Sequence, residues 1–203
     1  MLRNDGGATS RGERDLEEQR LIDRCLAGEV EAFRPLVNRY QRVTFSVALR
    51  MLGSRTDAED VTQQAFVDAF NALHSFDGEG RANAFSTWLL RIAVNRSKDI
   101  LKSKRRTEEP LENDVPGTEA AFAYDPSNPE ANASSGERRQ HLETALLQVS
   151  PKYREVLILK DVEELSYDEI HAILQLPLTT LKIRVVRARA MLRDIIEREG
   201  VTS

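Results

Sequence analysis

The chain has 203 residues and a net charge of -4, with 40% hydrophobic and 31% charged residues. This composition is typical of a globular protein with one large or two small domains, and no apolar run approaches the roughly 20 residues needed to span a bilayer. A single cysteine, Cys25, allows no intrachain disulfide, and residues 1–10 lack the apolar core of an export signal. These features predict a cytoplasmic protein without a membrane-inserted segment.

Apolar residues recur at intervals of three and four in two blocks of the chain, residues 15–106 and residues 137–199. This spacing is typical of amphipathic helices, and neither block shows the alternation of a half-buried strand. The pattern therefore predicts an all-α protein of two small helical domains. Residues 1–14 are expected to form a disordered N-terminal tail and residues 200–203 a short C-terminal one.

A segment of different composition, residues 107–136, separates the two blocks. It holds four prolines and no lysine or arginine. Its seven acidic residues are Glu108, Glu109, Glu112, Asp114, Glu119, Asp125 and Glu130. A segment this polar buries too little apolar surface to offset its chain entropy, so it is predicted to be a flexible acidic linker.

The C-terminal block has the pattern of a helix-turn-helix. A short amphipathic helix is predicted from Ser166, where Ser166 and Glu169 form a capping box. Pro177 interrupts the pattern, and a longer helix is predicted from Thr179 to Glu199, with Leu181 and Val185 on its inner face. A short helix, a tight turn and a longer helix are the elements of this DNA-binding motif.

The longer helix carries a run of cations without an intervening acid. These are Lys182, Arg184, Arg187, Arg189 and Arg193. Such a helix can neutralise phosphates and reach guanine edges, although a charge run by itself equally fits a solvated helix. On the face opposite the core, Ile183 and Val186 are apolar, which fits contact with thymine methyl groups or contact with another protein equally well.

In the N-terminal block, a helix is predicted from Asp57 to Leu73, starting with a capping box over Thr56–Glu59. Its outer face has a polar stripe that includes Asp60 and Gln64. Taken alone, the stripe is typical of a solvated helix face. The functional alternative is docking to a basic protein surface.

A glycine-containing loop over residues 74–84 leads into a basic helix predicted from Ser86 to Lys104. Cations, an amide and aromatic side chains along this region are the groups that bind single-stranded DNA through backbone attraction and base stacking. They are Phe76, Arg81, Trp88, Arg91, Asn95, Lys98 and Lys102, and the candidate set also includes Asp77, which follows Phe76 in the loop. For Trp88, packing in the core is the favoured alternative.

Three motifs in order carry a family resemblance. Residues 56–66 (TDAEDVTQQAF) resemble the polymerase-docking helix of sigma region 2, and residues 85–95 (FSTWLLRIAVN) resemble its promoter-melting segment. Residues 176–189 (LPLTTLKIRVVRAR) resemble the recognition helix of sigma region 4. The chain is accordingly similar to the small extracytoplasmic-function (ECF) group of the sigma-70 family, promoter-recognition subunits of RNA polymerase.

The resemblance implies a role for each set of residues. The residues that would dock on the β′ clamp of core RNA polymerase are Asp57, Glu59, Asp60, Gln63 and Gln64, while region 4 would contact the β flap. The loop and basic helix described above would capture and melt the single-stranded −10 element. The residues that would read the double-stranded −35 element are Thr179, Thr180, Lys182, Ile183, Arg184, Val186, Arg187 and Arg189.

The resemblance further implies an anti-sigma factor as partner and neither cofactor nor enzymatic activity. At Thr179 and Ile183 the sequence departs from the usual family pattern, which affects the −35 sequence that is read and not the role. A self-sufficient regulator with a helix-turn-helix is the main alternative, but the first block shows no sensor pattern. His74, His141 and His171 are scattered, and no catalytic or metal motif is recognisable, which disfavours an enzyme.

Overall fold

A computed structural model describes residues 6–78, 83–107 and 140–199, without the side chains of residues 6–12, 14 and 107. The described chain is helical, and it confirms the prediction of an all-α protein with two helical domains. The elements are α1 (Gly6–Leu26), a 3₁₀ turn (Val30–Phe33), α2 (Arg34–Leu52), α3 (Arg55–Asn71), a 3₁₀ turn (Leu73–Ser75), α4 (Ala84–Thr107), α5 (residues 140–148), α6 (Pro151–Leu157) continued by a π turn (Ile158–Val162), α7 (Tyr167–Leu174) and α8 (Leu178–Arg198).

Several helix boundaries differ from those expected from the sequence, and the starts of α1 and α3 have a local explanation. Helix α1 begins at Gly6, whereas residues 1–14 were expected to be a disordered tail; no proline interrupts the chain between Gly6 and Leu26, so the helix extends past the predicted boundary. Helix α3 begins at Arg55, because the Ser54 side chain accepts the Asp57 N–H and forms the N-cap in place of the predicted Thr56. The predicted acidic linker lies outside the described residues, apart from Thr107 at the end of α4.

Other local signals determine where helices end and begin, among them the predicted capping box and Pro177. Gly53 ends α2 in the left-handed conformation with φ of 69°, and its N–H donates to the carbonyl of Leu49. Ser166 and Glu169 form a complete capping box at the start of α7. Gln175 ends α7 with a φ of 54°, and Pro177 stands at the N-cap of α8. These turns set the angle between the two helices of the helix-turn-helix.

The N-terminal domain, α1 to α4, packs around an aromatic-rich core. Phe85 at the start of α4 is fully buried and meets Phe33 edge to face, with ring centroids 6.2 Å apart. Small residues on α3, including Ala58 and Ala65, let that helix lie close to its neighbours. Cys25 is buried in the same core, as expected of a small packed side chain.

The two domains share a second apolar core. Val47 and Met51 of α2 and Leu90 and Val94 of α4 are buried in one cluster with side chains of the C-terminal domain. The largest fully buried side chains among the latter are Leu157, Ile158, Leu159, Ile170, Ile173 and Leu181. The amphipathic patterns identify these faces as buried, but the structure shows that each domain covers the other.

One buried arginine links the two domains by hydrogen bonds. Arg154 of α6 donates to the carbonyl of Met51, 2.5 Å away in the last turn of α2, and to the carbonyls of Val149 and Leu147. The last carbonyls of a helix lack partners inside it and carry the negative end of its dipole, so the guanidinium caps α2 from the other domain. Burial lowers the pKa of Arg154 to about 10, which leaves it charged at neutral pH.

Candidate nucleic-acid interface

Loop and helix residues predicted to bind the −10 element meet in one pocket of about 530 Å³. Phe76, Asp77, Trp88 and Arg91 line it. The Phe76 and Trp88 rings lie 5.2 Å apart, and Trp88 lies 6.0 Å from Phe85. Trp88 is half-buried, so it both packs on the aromatic core and presents part of its surface to the pocket.

Helix α7 of the other domain forms the opposite wall of this pocket. Asp168, Glu169 and Ala172 line it from that side. The Asn83 side-chain amide donates to the carboxylate of Glu169 at 2.8 Å, which ties the start of α4 to the start of α7. Two carboxylates therefore face the aromatic and cationic groups that were predicted to meet DNA.

Three further predicted residues follow the pocket along α4. Asn95 is exposed and lies outside the pocket lining. Lys98 is half-buried and forms an ion pair with Glu155 of α6, at 2.7 Å, while the exposed Lys102 lies 3.4 Å from Asp99. Arg81, which was also predicted to contact the −10 element, lies outside the described residues.

Glu155 joins the two predicted DNA-binding surfaces. Its side chain is only 3% exposed and contacts Lys98 of α4 and, at 3.2 Å, the guanidinium of Arg184 of α8. Burial raises the pKa of Glu155 above its ordinary value, and the two cations lower it only in part. One buried carboxylate thus neutralises a cation predicted for −10 binding and one predicted for −35 binding.

Helix α8 has the two faces that the sequence predicts. Leu181, Val185, Ala188 and Ile195 are buried in the core. The predicted −35 residues are exposed except for Thr180 and Arg184, which are half-buried. The exposed ones are Thr179, Lys182, Ile183, Val186, Arg187 and Arg189.

The cations of α8 differ in their surroundings. Arg189 forms a bidentate ion pair with Asp161, at 2.5 and 2.9 Å, and the Lys182 ammonium lies 5.9 Å from the centre of the Tyr167 ring. Within the described parts of the chain, Arg187 and Arg193 form no ion pair. Some α8 cations are thus occupied inside the protein, and others face solvent.

The predicted docking residues lie along α3. Glu59, Asp60, Gln63 and Gln64 are exposed on one side of the helix, and Asp57 is half-buried in an ion pair with Lys104 at 2.6 Å. Glu59 pairs with Arg55 one turn earlier, at 2.9 Å. The structure therefore brings these five residues together as one polar surface, called the α3 stripe below, on the N-terminal domain.

Family comparison assigns each domain. Residues 36–107 match the family model for sigma-70 region 2, and residues 139–192 match the one for sigma-70 region 4. The chain is 36% identical over 177 residues to the ECF RNA polymerase sigma factor SigW of Bacillus subtilis, covering 85% of this chain and 92% of SigW. The chain belongs to the ECF group of RNA polymerase sigma factors.

Other relatives match this sigma factor over most of their length. The ECF RNA polymerase sigma-E factor of Escherichia coli K12 is 36% identical over 188 residues, with 90% of this chain and 95% of the relative covered. A solved structure of CnrH in complex with the cytosolic domain of CnrY has a TM-score of 0.64 at 26% identity, covering 90% of this chain and 98% of CnrH. The sigma factor RpoE of Bartonella quintana, solved with the anti-sigma factor NepR, shares the fold at a TM-score of 0.60 and 20% identity, covering 81% and 96% of the two chains.

Sequence reasoning missed the acidic residues that this sigma factor sets against its own cations. Glu155, Asp161, Asp168 and Glu169 lie on α6, the π turn and α7, where the sequence identifies only helix formers and a cap. No local pattern pairs them with Lys98 or Arg91, since the partners come from the other domain. A residual signal is the contrast in charge: residues 161–169 hold five acids and no Lys or Arg, whereas residues 178–193 hold five cations and no acid.

Two chemical properties complete the description of the site. Within residues 6–78, 83–107 and 140–199, no cluster of three or more His, Cys, Asp or Glu side chains is arranged to hold a metal ion. None of the described helices is long and apolar enough to cross a membrane.

Proposed function

We propose that this sigma factor binds core RNA polymerase in the cytoplasm and directs initiation at its own class of promoters, with no reaction of its own. The observation that carries the proposal is the pocket formed by Phe76, Trp88 and Arg91, next to a basic α4 and in one chain with an exposed basic recognition helix. One chain therefore holds stacking and cationic groups that suit a single strand and groove-reading groups that suit a duplex.

The pocket fits the capture of a base from the −10 element. Extruding a base costs a few kcal/mol, and an aromatic wall repays part of this cost by stacking while Arg91 attracts the adjoining phosphate. A pocket that holds one unpaired base traps the melted strand and also selects its sequence. Asn95, Lys98 and Lys102 continue along α4 toward the rest of the strand.

Helix α8 fits the major groove of the −35 element. In a helix-turn-helix, the N-terminal turns of the second helix approach base edges, and α8 presents Thr179, Lys182 and Ile183 there. Arg187 is exposed and can meet a phosphate directly, whereas Arg189 would first have to leave its ion pair with Asp161. The proposed β-flap contact belongs to this domain too, where an apolar groove of about 630 Å³ runs between α5 and α8, lined by Leu142 and Ile196 among others.

The described arrangement is a closed form. With α7 against the Phe76–Trp88 pocket and Glu155 on Lys98, part of the surface proposed to bind the melted −10 strand is covered. Promoter binding then requires the domains to separate, and a core polymerase that holds each domain at a different place shifts the population toward the open form. An anti-sigma factor that prefers the closed form would shift it the opposite way.

Core binding by the α3 stripe gives the most specific test of the proposal. Asp60 is exposed on the stripe, so Asp60→Lys reverses one charge without disturbing the core of the domain. We expect the variant to bind purified sigma-free core polymerase at least about tenfold more weakly, since an exposed charge facing a basic partner surface is replaced by repulsion. Glu31→Lys, an equal charge change at an exposed site off the stripe, is the control and should bind as the unaltered chain does. Equal affinity of all three proteins would contradict docking through α3.

A further inference from the structure

The outward face of α8 is apolar along its centre. Ile183 is 52% exposed and Val186 is 68% exposed, so neither is covered by the N-terminal domain in the closed form. With about 100° per residue, Thr179, Ile183, Val186 and Ala190 fall opposite the buried Leu181–Val185 face. This set is called the α8 apolar stripe below.

Cations flank the stripe on both sides. Lys182 and Arg193 lie along one edge and Arg187 along the other, and residues 178–193 include no acid. A protein partner that covers an apolar stripe of this kind would have to be anionic along both edges. Duplex DNA meets that requirement directly, because the phosphates of its two strands border the major groove while the base edges form its floor.

The stripe lacks the side chains that read most bases. Guanine is read by bidentate Arg or Lys, adenine by Asn or Gln, and cytosine by Glu or Asp, whereas the thymine 5-methyl group is read by apolar contact. Ile183, Val186 and Ala190 supply only the last kind of contact, and Thr179 at the start of the helix offers a methyl group together with a hydroxyl. The flanking cations remain free for phosphates and for guanines at the border of the site.

We propose that Ile183 and Val186 read thymine methyl groups on neighbouring base pairs of the −35 element. The two residues are three positions apart, about 4.5 Å along the helix axis, which compares with about 3.4 Å between successive base pairs. Both side chains are β-branched and have few rotamers, so they lose little conformational entropy when they pack against a base. The inference rests on the proposed function, because it names what the −35 helix selects.

The test starts from promoters that the protein itself selects. The full chain with core polymerase is used to enrich a library whose −35 region is randomised, and core alone serves as reference. Enrichment of thymine at two neighbouring positions is expected. No enrichment over core alone would overturn the proposed function and this inference with it, whereas enriched −35 elements without such thymines would overturn only the inference.

The decisive step replaces those thymines by uracil, which pairs identically and lacks only the methyl group. Each replacement is expected to weaken holoenzyme binding about fourfold, the effect of exposing roughly one methylene. The variants Ile183→Ala and Val186→Ala should each lose this sensitivity at one position. Met191→Ala, which shortens an exposed apolar side chain off the stripe, should keep it at both. Equal binding of thymine and uracil promoters by the unaltered chain would overturn the inference while leaving promoter recognition intact.

Discussion

The carboxylate of Glu155 in α6 lies 2.7 Å from the ammonium group of Lys98 in α4, and the two residues belong to different domains. Glu155 thus neutralises a cation of the proposed −10 surface in the closed form. A buried ion pair is a weak source of net stability, because both charges lose their hydration. We therefore expect the pair to favour the closed arrangement of the domains, and the following measurements detect how far the domains separate.

Reversing the charge at Lys98 should open the protein. Lys98→Glu sets two carboxylates against each other, and after allowance for partial exposure we expect the closed form to lose roughly 2 kcal/mol. The radius of gyration from small-angle X-ray scattering should rise. Adding Glu155→Lys should reverse part of this rise, since it restores one opposite-charge pair.

Lys102→Glu is the matched control for that measurement. Lys102 lies one turn further along α4, is exposed, and pairs with Asp99 of its own helix. Its radius of gyration should stay at the value of the unaltered chain. A similar expansion in both variants would show that a general change of charge, and not the Lys98–Glu155 pair, controls the domain arrangement.

The closed form should become less stable as the pH rises. Glu163 lies at the domain junction as Glu155 does, and its carboxylate accepts a hydrogen bond from the Ser46 hydroxyl of α2. Burial raises the pKa of Glu155 and of Glu163 above their ordinary value of 4.5, so the closed form binds their protons more tightly than the open form does. Their contribution to closure is complete below 4.5 and is lost as the pH rises through the raised values. The radius of gyration should therefore increase from pH 4.5 toward neutrality, and Glu155→Gln should reduce the slope. Expansion on acidification, before any loss of helix signal, would contradict this sign.

Removing the Asn95 side chain should impair melting more than initial binding. Asn95 is exposed on α4 one turn after Arg91, where it can meet a melted strand but not a duplex at the −35 site. Asn95→Ala should slow open-complex formation by roughly tenfold, the loss of one to two hydrogen bonds, as followed by permanganate reactivity of unpaired thymines. Gln41→Ala, which removes an exposed amide on α2, is the control. An equal loss of closed-complex binding would argue against base capture by Asn95.

Arg187 should act on DNA through charge. It is exposed on α8, and within the described residues it forms no ion pair. Arg187→Ala should weaken holoenzyme binding to all promoters alike and lower the salt slope of log K by about 0.9, the value for one phosphate contact. Arg198→Ala, at the far end of the same helix, should leave the slope unchanged. An unaltered slope for Arg187→Ala would show that Arg187 does not contact phosphate.

Local features of the fold could be predicted because they depend on neighbouring residues. Gly53 marks the end of α2, Ser166 and Glu169 mark the start of α7, and Pro177 separates the two helices of the motif. The buried face of α8 follows from its spacing of apolar residues. The prediction of a disordered tail was wrong over residues 6–14. Glycine and polar residues favour disorder there, but no proline prevents α1 from extending.

The closed arrangement could not be predicted, because an amphipathic pattern shows which face is buried and not which surface covers it. Val47 and Val94 were recognisable as apolar positions, yet their partners lie beyond the linker. Glu155 could not be recognised as the partner of Lys98 for the same reason, since the two residues belong to different domains. The roles of the proposed site residues were instead inferred from the family resemblance, because motifs matched in order indicate function and helical periodicity does not.

Promoter-directed transcription tests the central claim most directly. Sigma-free core RNA polymerase is supplied with a library of promoter fragments, with and without the chain, and new transcripts are mapped to their start sites. The account predicts transcripts only when chain and core are both present, all starting downstream of one shared −35 and −10 pair. Tight DNA binding by the isolated chain, with neither core binding nor new transcripts, would contradict it and identify a self-sufficient regulator.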